Sequence, residues 1–200
     1  MEKKEIKSKQ IFGISLTELE KREEETPIPR IVTNSVNYLK KKSIETTGIF
    51  RIPGNKTEME SIIKRWNKGE VIDYEKEKTL EFTVASLLKQ FARDLPQSLL
   101  SNSLIQEFFK FENLNQREKI FQTKSLLENI PIYNCKILQK IMLLLRKISR
   151  HSDENLMNAS ALAMVFLPSF CHEQDLQSNE TAQIISFFIK NSKLIFPDFK

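Results

Sequence analysis

The sequence predicts an all-α fold, a single-domain helical bundle of about eight or nine helices. Along most of the chain, apolar residues recur at intervals of three and four, which is the spacing of one helix face. The alternation of apolar and polar residues that marks a strand does not persist in any segment. A chain of 200 residues with 40% hydrophobic and 28% charged residues has the composition of one globular domain with a substantial core.

The N-terminal region is expected to contribute little regular structure. Residues 1–10 are mostly charged, so we expect a disordered tail before a domain that spans residues 11–200. A few apolar residues then attach an N-terminal extension to the domain: Ile11, Phe12, Leu16 and Leu19.

The first helix is predicted from Pro29, because the fixed backbone angle of proline suits a first helical turn. Three lysines, Lys40, Lys41 and Lys42, close this helix, where positive charge complements the helix dipole. A second helix is predicted from Asn55, which with Glu58 resembles a capping box.

The next predicted helix covers about residues 80–95 and ends before Pro96. Lys89 and Arg93 are four residues apart in it, so both project from one side. The apolar spacing predicts five further helices, at about residues 101–111, 115–129, 134–150, 155–168 and 180–193.

The segment between the first two helices, Thr47–Gly54, is predicted to be a tightly shaped loop. Two of only four glycines in the chain, Gly48 and Gly54, bracket Arg51, and Pro53 restricts the backbone further. Phe50 and Ile52 flank Arg51 and can bury themselves on either side, which would leave the guanidinium pointing outward. The alternative is an ordinary turn whose arginine is merely solvated.

Several classes of function lack support in the sequence. The net charge of +5 is spread among interleaved acidic residues rather than concentrated in one stripe. The two cysteines and two histidines have no metal-ligand spacing, and no serine lies in a nucleophile elbow. Four glycines cannot supply a phosphate-binding loop, so we expect no nucleotide site and no cofactor of the chain's own. The N-terminus lacks a signal peptide, which favours a cytoplasmic location.

From about Ile11 to Phe196 the chain resembles the Rho-family GTPase-activating (RhoGAP) domain. Individually the matching motifs are weak, but their order and separations together are specific. The motifs are Gly48-Ile49-Phe50-Arg51 with Gly54; Val84-Ala85-Ser86-Leu87-Leu88-Lys89 with Phe91, Arg93, Leu95 and Pro96; and Asn155 and Met157 with Leu162, Ala163, Val165, Phe166 and Pro168.

The resemblance implies that Arg51 is an arginine finger, inserted in trans into the nucleotide site of a GTP-bound small GTPase of the Rho, Rac or Cdc42 type. In this reading Arg93 braces the finger loop through backbone contacts and Lys89 faces the GTPase. Gly48, Phe50, Gly54 and Pro168 complete the site.

The resemblance also implies how the protein works with its partner. The GTPase holds GTP and Mg²⁺ and performs the turnover, so the chain is an activator rather than an enzyme with a substrate of its own. We expect a monomer with no nucleic-acid partner. Membrane contact is expected only indirectly, through the lipidated GTPase, with recruitment to membrane or cytoskeleton.

One position departs from the family pattern. Ala161 stands where the family usually carries an asparagine that reaches the GTPase, and Asn158 is the neighbour that could replace it. Two alternatives stay open.

The first, which Ala161 motivates, is a module that binds a Rho-type GTPase with weak or no acceleration. The second is a basic helical module that binds acidic lipid or nucleic acid through the three lysines at 40–42.

Overall fold

The computed structural model describes residues 9–22, 28–172 and 178–196, and these residues form helices and no strand. This confirms the predicted all-α bundle, with ten helices in the described part. Residues 1–8 of the predicted disordered tail lie outside it. The helices are α1 (Leu16–Arg22), α2 (Arg30–Lys42), α3 (Lys56–Trp66), α4 (Glu81–Asp94), α5 (Asn102–Phe109), α6 (Gln116–Glu128), α7 (Ile132–Ser149), α8 (Ser152–Asn155), α9 (Ala159–Phe170) and α10 (Asn179–Ile195).

Two differences from the sequence-based boundaries concern short helices. The extension predicted near Leu16 is the helix α1, which buries Leu16 and Leu19. The single helix predicted over residues 155–168 is instead α9, which begins at Ala159. The chain breaks at residues 156–158, between α9 and the short helix α8, and Leu156 has a left-handed φ of 59°. The break arises because the buried Asn155 side chain accepts a hydrogen bond from the Met157 N–H at 2.7 Å.

Helix starts follow the expected capping chemistry with one change. Asn55 caps α3 by accepting from the Glu58 N–H at 3.0 Å. The Glu58 carboxylate does not complete a capping box, because it accepts from the Thr83 hydroxyl of α4 at 2.5 Å. A full capping box occurs at Asn115 and Glu118, at the start of α6.

The core lies where α10 packs on α9 and α7, and where α2 packs between α4 and α7. Aromatic rings fill the centre: Phe166 stacks on Phe170 at 5.0 Å between ring centroids, and both are fully buried. Cys135 and Cys171 are buried and form no disulfide within the described residues, and burial raises the pKa of the Cys135 thiol to about 11. This packing holds α4, α8 and α9 around the loop that joins α2 to α3.

Candidate functional site

The loop Thr47–Gly54 begins with a turn that is fixed at Gly48. The Gly48 carbonyl accepts hydrogen bonds from both Arg51 N–H and Ile52 N–H, each at 2.9 Å. The Gly48 N–H donates in turn to the carbonyl of Asn155, at the end of α8, at 2.8 Å. Gly48 has a φ of +72°, a conformation that glycine adopts without a steric penalty. The start of the loop is therefore tied to α8.

Phe50 anchors the middle of the loop in the core. Its side chain is fully buried and meets Phe166 of α9 edge to face, with 4.8 Å between ring centroids. Its φ of +67° is unfavourable for a bulky residue by about 1–2 kcal/mol, a cost that burial of the ring offsets. Ile52, which we expected to be buried on the other side, is 41% exposed. One anchor rather than two thus holds this part of the loop.

Arg51 follows the anchor and is exposed. Across the described parts of the chain, its guanidinium makes no hydrogen bond or ion pair with another residue. A guanidinium carries five N–H donors and stays charged at all physiological pH values. The fixed loop therefore presents a positive charge whose donors are available to another molecule.

The loop ends against the backbone of α4. The Gly54 N–H donates to the Ser86 hydroxyl at 2.9 Å, and the Asn55 N–H donates to the Thr83 hydroxyl at 3.3 Å. A Cβ atom on Gly54 would lie only 2.5 Å from the Cα atom of Thr83. Gly54 is required here because two backbones approach closely.

Lys89 of α4 contacts the loop directly. Its ammonium group donates a hydrogen bond to the carbonyl of Phe50, the peptide that leads into Arg51. Burial lowers the pKa of Lys89, and the positive charge of Arg93 adds to the effect. Arg93 itself is exposed, and no hydrogen bond or ion pair of its side chain is found within the described ranges. The expectation that Arg93 braces the loop was wrong: Lys89 braces it, and the Arg93 side chain makes no such bond within the described ranges.

Asn155 connects three segments behind the loop. Its side-chain amide donates to the carbonyls of Ile44 and Ile148, at 2.7 and 2.8 Å, and its oxygen accepts from Met157. Because its own carbonyl accepts from Gly48, this fully buried last residue of α8 links the segment that follows α2, the last turn of α7 and the loop. Its hydrogen bonds therefore hold the turn that presents Arg51.

The remaining predicted site residues lie on α9 and at its start. Asn158 is exposed and caps the helix by accepting from the Ala161 N–H at 2.9 Å. Ala161 is half-buried, and its methyl group offers no hydrogen bond. Pro168 was expected to end the helix but lies inside α9, which continues to Phe170. Its missing N–H is tolerated near the end, where one lost backbone bond affects only the last turn.

A model of the RhoGAP domain matches residues 29–175, well over half of the chain. The chain belongs to the RhoGAP domain family. Rho GTPase-activating protein 1 of Homo sapiens is 34% identical to this RhoGAP domain over 167 residues, which cover 83% of this chain and 38% of that protein. Rho GTPase-activating protein gacW of Dictyostelium discoideum is 31% identical over 170 residues, covering 84% of this chain and 15% of that protein.

These relatives are longer proteins, and this RhoGAP chain spans less than two fifths of either one. The fold is also that of a solved structure. The crystal structure of human Rho GTPase activating protein 15 aligns with a TM-score of 0.88 and 24% identity, covering 97% of this chain and 95% of that one.

Sequence reasoning did not single out the hydroxyls of Thr83 and Ser86 as loop contacts in this RhoGAP domain. Both are buried and three residues apart on the apolar side of α4. A buried hydroxyl needs a hydrogen-bond partner, so hydroxyls on an apolar helix face could have indicated a contact with another segment. Two large apolar side chains of the loop and α9 are exposed: Ile52 by 41%, and Met164, three residues beyond Ala161 on α9, by 49%.

Two further structural findings bear on the expectations for this RhoGAP chain. Within residues 9–22, 28–172 and 178–196, no cluster of three His, Cys, Asp or Glu side chains could hold a metal ion. No helix in the same ranges is long and apolar enough to span a bilayer. The absence of a cofactor of its own stays a prediction.

Proposed function

We propose that this RhoGAP domain accelerates GTP hydrolysis by a GTP-bound Rho-family small GTPase, with Arg51 as an arginine finger. The observation that carries the proposal is the exposed Arg51 guanidinium, unpaired among the described residues, on a loop held by α4, α8 and α9. A loop without fixed anchors would have to be ordered on binding, which costs free energy. Here the loop is ordered before any partner arrives.

The chemical role of Arg51 follows from its charge. Phosphoryl transfer spreads negative charge over the oxygens of the γ-phosphoryl group, and an arginine inserted in trans stabilises that charge. Such a finger raises the rate by roughly 10³–10⁵, or about 4–7 kcal/mol of barrier. An exposed salt bridge contributes about 0–1 kcal/mol, so an effect of the larger size identifies the finger.

The other site residues support or extend this role. Lys89, Gly48, Phe50 and Gly54 hold the loop, while Arg93, exposed and unpaired within the described ranges, is available to contact the GTPase. In this proposal the GTPase binds GTP and Mg²⁺ and carries out the turnover. The domain acts as a cytoplasmic monomer that reaches membrane or cytoskeleton with its GTPase, and it has no nucleic-acid partner.

The test is GTP hydrolysis by a small panel of Rho-type GTPases with wild type, Arg51→Ala and Arg117→Ala. Arg117 is an exposed arginine on α6 and serves as the matched control. We expect acceleration by wild type and by Arg117→Ala, and a loss of roughly 10³-fold or more in Arg51→Ala with binding largely retained. Equal acceleration by Arg51→Ala and wild type would exclude the finger.

A second candidate is a module that binds the GTPase without accelerating it. Ala161 favours this candidate, because its methyl group makes no hydrogen bond to a partner, and the Asn158 oxygen is already used in capping α9. A lost interfacial hydrogen bond costs about 0.5–3 kcal/mol, which weakens association without removing the arginine. Binding to the GTP-loaded GTPase with no acceleration by wild type would select this candidate.

A further inference from the structure

Two neighbouring helices carry the excess positive charge of the domain. α2 and α7 pack against each other, and each contains four lysines or arginines and no aspartate or glutamate. The whole chain has a net charge of only +5, so the rest of the molecule is acidic on balance. The sequence conceals this concentration, because residues of α2 and α7 are about a hundred positions apart.

The three lysines at the end of α2 divide into two groups in the structure. Lys41 and Lys42 both point to Glu75, with Nζ–Oε1 distances of 2.7 and 3.5 Å. Lys40 lies on α2, which packs on α7, and its positive charge adds to burial in lowering the pKa of Lys140. Lys41 and Lys42 therefore share one carboxylate, whereas Lys40 takes no part in this contact.

Further basic residues lie along α7. Lys140, Leu143, Lys147 and Arg150 follow at intervals of three and four, so they lie on one side of the helix over about 15 Å. Lys140 is half-buried, and the other three are exposed. We call Lys40, Lys140, Lys147 and Arg150, together with Leu143, the basic surface. Within the described part of the chain, none of the four cationic side chains forms a hydrogen bond or an ion pair.

We propose that the basic surface binds the anionic headgroups of a phospholipid bilayer. Like charges repel, so four uncompensated cations along two packed helices lower stability unless an anionic partner covers them. Three of the four are lysines, whose compact charges on flexible stems suit diffuse negative charge rather than one bidentate ligand.

The apolar member of the surface distinguishes a bilayer from a nucleic acid. Leu143 is 36% exposed among the cations, the combination by which helices bind at a lipid interface. Surfaces for single-stranded nucleic acids instead place aromatic rings among the cations, on which bases stack. A leucine at this position favours the bilayer.

The basic surface also ends near the finger loop. Asn155 joins the last turn of α7 to the loop, since its side chain donates to the carbonyl of Ile148 and its own carbonyl accepts from Gly48. A domain lying on a bilayer would then be on the same membrane as a lipid-anchored GTPase. Direct lipid contact would act in addition to recruitment through the GTPase, and it does not depend on Arg51.

The test measures co-sedimentation of the whole chain with vesicles of phosphatidylcholine alone and with 30% phosphatidylserine. No GTPase is present, so the result is independent of the proposed function. We expect binding only to the anionic vesicles, weakening steeply as salt rises. Because each cation near an anionic surface strengthens binding roughly five-fold, replacing all four by glutamine should weaken binding at least 100-fold.

A matched variant controls for total charge. It replaces Lys56, Lys64, Lys68 and Lys124 by glutamine, removing four exposed lysines that lie on or next to α3 and on α6. This control should retain binding to within a few-fold. Leu143→Gln should weaken binding at high salt as well as low salt, because an apolar contact is not screened. A single cooperative thermal unfolding transition in each variant verifies that it is folded, and the transition of the basic-surface variant should lie at or above that of wild type.

Three results would overturn the proposal. One is the absence of phosphatidylserine-dependent binding by wild type. Another is equal loss in the control and basic-surface variants, which would indicate a general charge effect. The third is binding to a single-stranded oligonucleotide, lost in the basic-surface variant, without binding to vesicles; it would assign the surface to nucleic acid. GTP hydrolysis with a soluble GTPase should be unchanged in the basic-surface variant, whichever result is obtained.

Discussion

Replacing Gly54 with alanine tests whether the end of the finger loop lies directly against α4. A Cβ at this position would lie 2.5 Å from Thr83 Cα, 2.7 Å from Phe82 O and 2.8 Å from Thr83 N. All three are backbone atoms of a helix and cannot rotate away. Overpacking costs about 1–3 kcal/mol, and because backbone has to move we expect the upper end, about 3 kcal/mol.

The assay is thermal unfolding followed by circular dichroism. A loss of about 3 kcal/mol corresponds to a fall in Tm of about 6–12 °C for a domain of this size. Gly13→Ala is the control, because a Cβ there lies no closer than 3.7 Å to any neighbour. The Gly13 φ of +75° leaves only backbone strain of about 1–2 kcal/mol.

The opposite result would refute the reasoning. Gly54 does not have a positive φ, so alanine is allowed by the local backbone. If α4 were farther away, Gly54→Ala would raise stability by about 0.4–1 kcal/mol, because alanine restricts the unfolded chain. On the proposed function, the displaced loop should also reduce GTPase activation by about 10²-fold, with a smaller change in affinity.

Three further substitutions probe the contacts around the loop. Lys89→Met leaves the Phe50 carbonyl without its donor and should reduce activation about ten-fold, a loss of about 1.4 kcal/mol. The pKa of Lys89 is lowered from 10.5 in the folded protein, so between the two pKa values the unfolded chain binds more protons than the folded one. The contribution of Lys89 to the free energy of unfolding therefore rises with pH just below 10.5. Urea titrations at several pH values should show that this slope is lost in Lys89→Met. Asn155→Ala leaves the Ile44 carbonyl and the Met157 N–H without these partners and removes one of the bonds to the Ile148 carbonyl, which should cost roughly 3 kcal/mol in urea unfolding, against about 1 kcal/mol for the exposed cap in Asn158→Ala. Ala161→Asn should tighten binding to a GTP-loaded GTPase by about 0.5–1.5 kcal/mol in a titration, and unchanged affinity would mean that another residue already supplies the contact.

Most of the fold was predictable because helix periodicity is a local property. The intervals of three and four located α2 to α7, α9 and α10, and the cap at Asn115 marked the start of α6. The break at Leu156 was not predictable from periodicity. The break depends on the Asn155 side-chain oxygen, which accepts a hydrogen bond from the Met157 N–H and so competes with the helix backbone. The apolar pattern resumes after the break, in α9.

The sequence indicated which residues form the candidate loop better than it indicated their contacts. Gly48, Arg51 and Gly54 were recognisable in the sequence as a constrained loop. The sequence did not show which of Lys89 and Arg93 braces the loop, because residues four apart on one helix face have the same spacing whichever of them reaches a neighbour. The distance from each side chain to the loop depends on how α4 is placed against it.

The sequence by itself determined that the chain is helical, that one arginine lies between two glycines, and that residue 161 lacks a hydrogen-bonding side chain. Helix spacing, glycine position and side-chain chemistry are local, so they can be read along the chain. Only the tertiary structure decided that Lys89 donates to the Phe50 carbonyl, that Gly54 is needed because α4 lies against it, and that the charge of Lys40 on α2 acts on Lys140 of α7. These are contacts between residues 28 to 100 positions apart, and long-range packing alone brings such residues together.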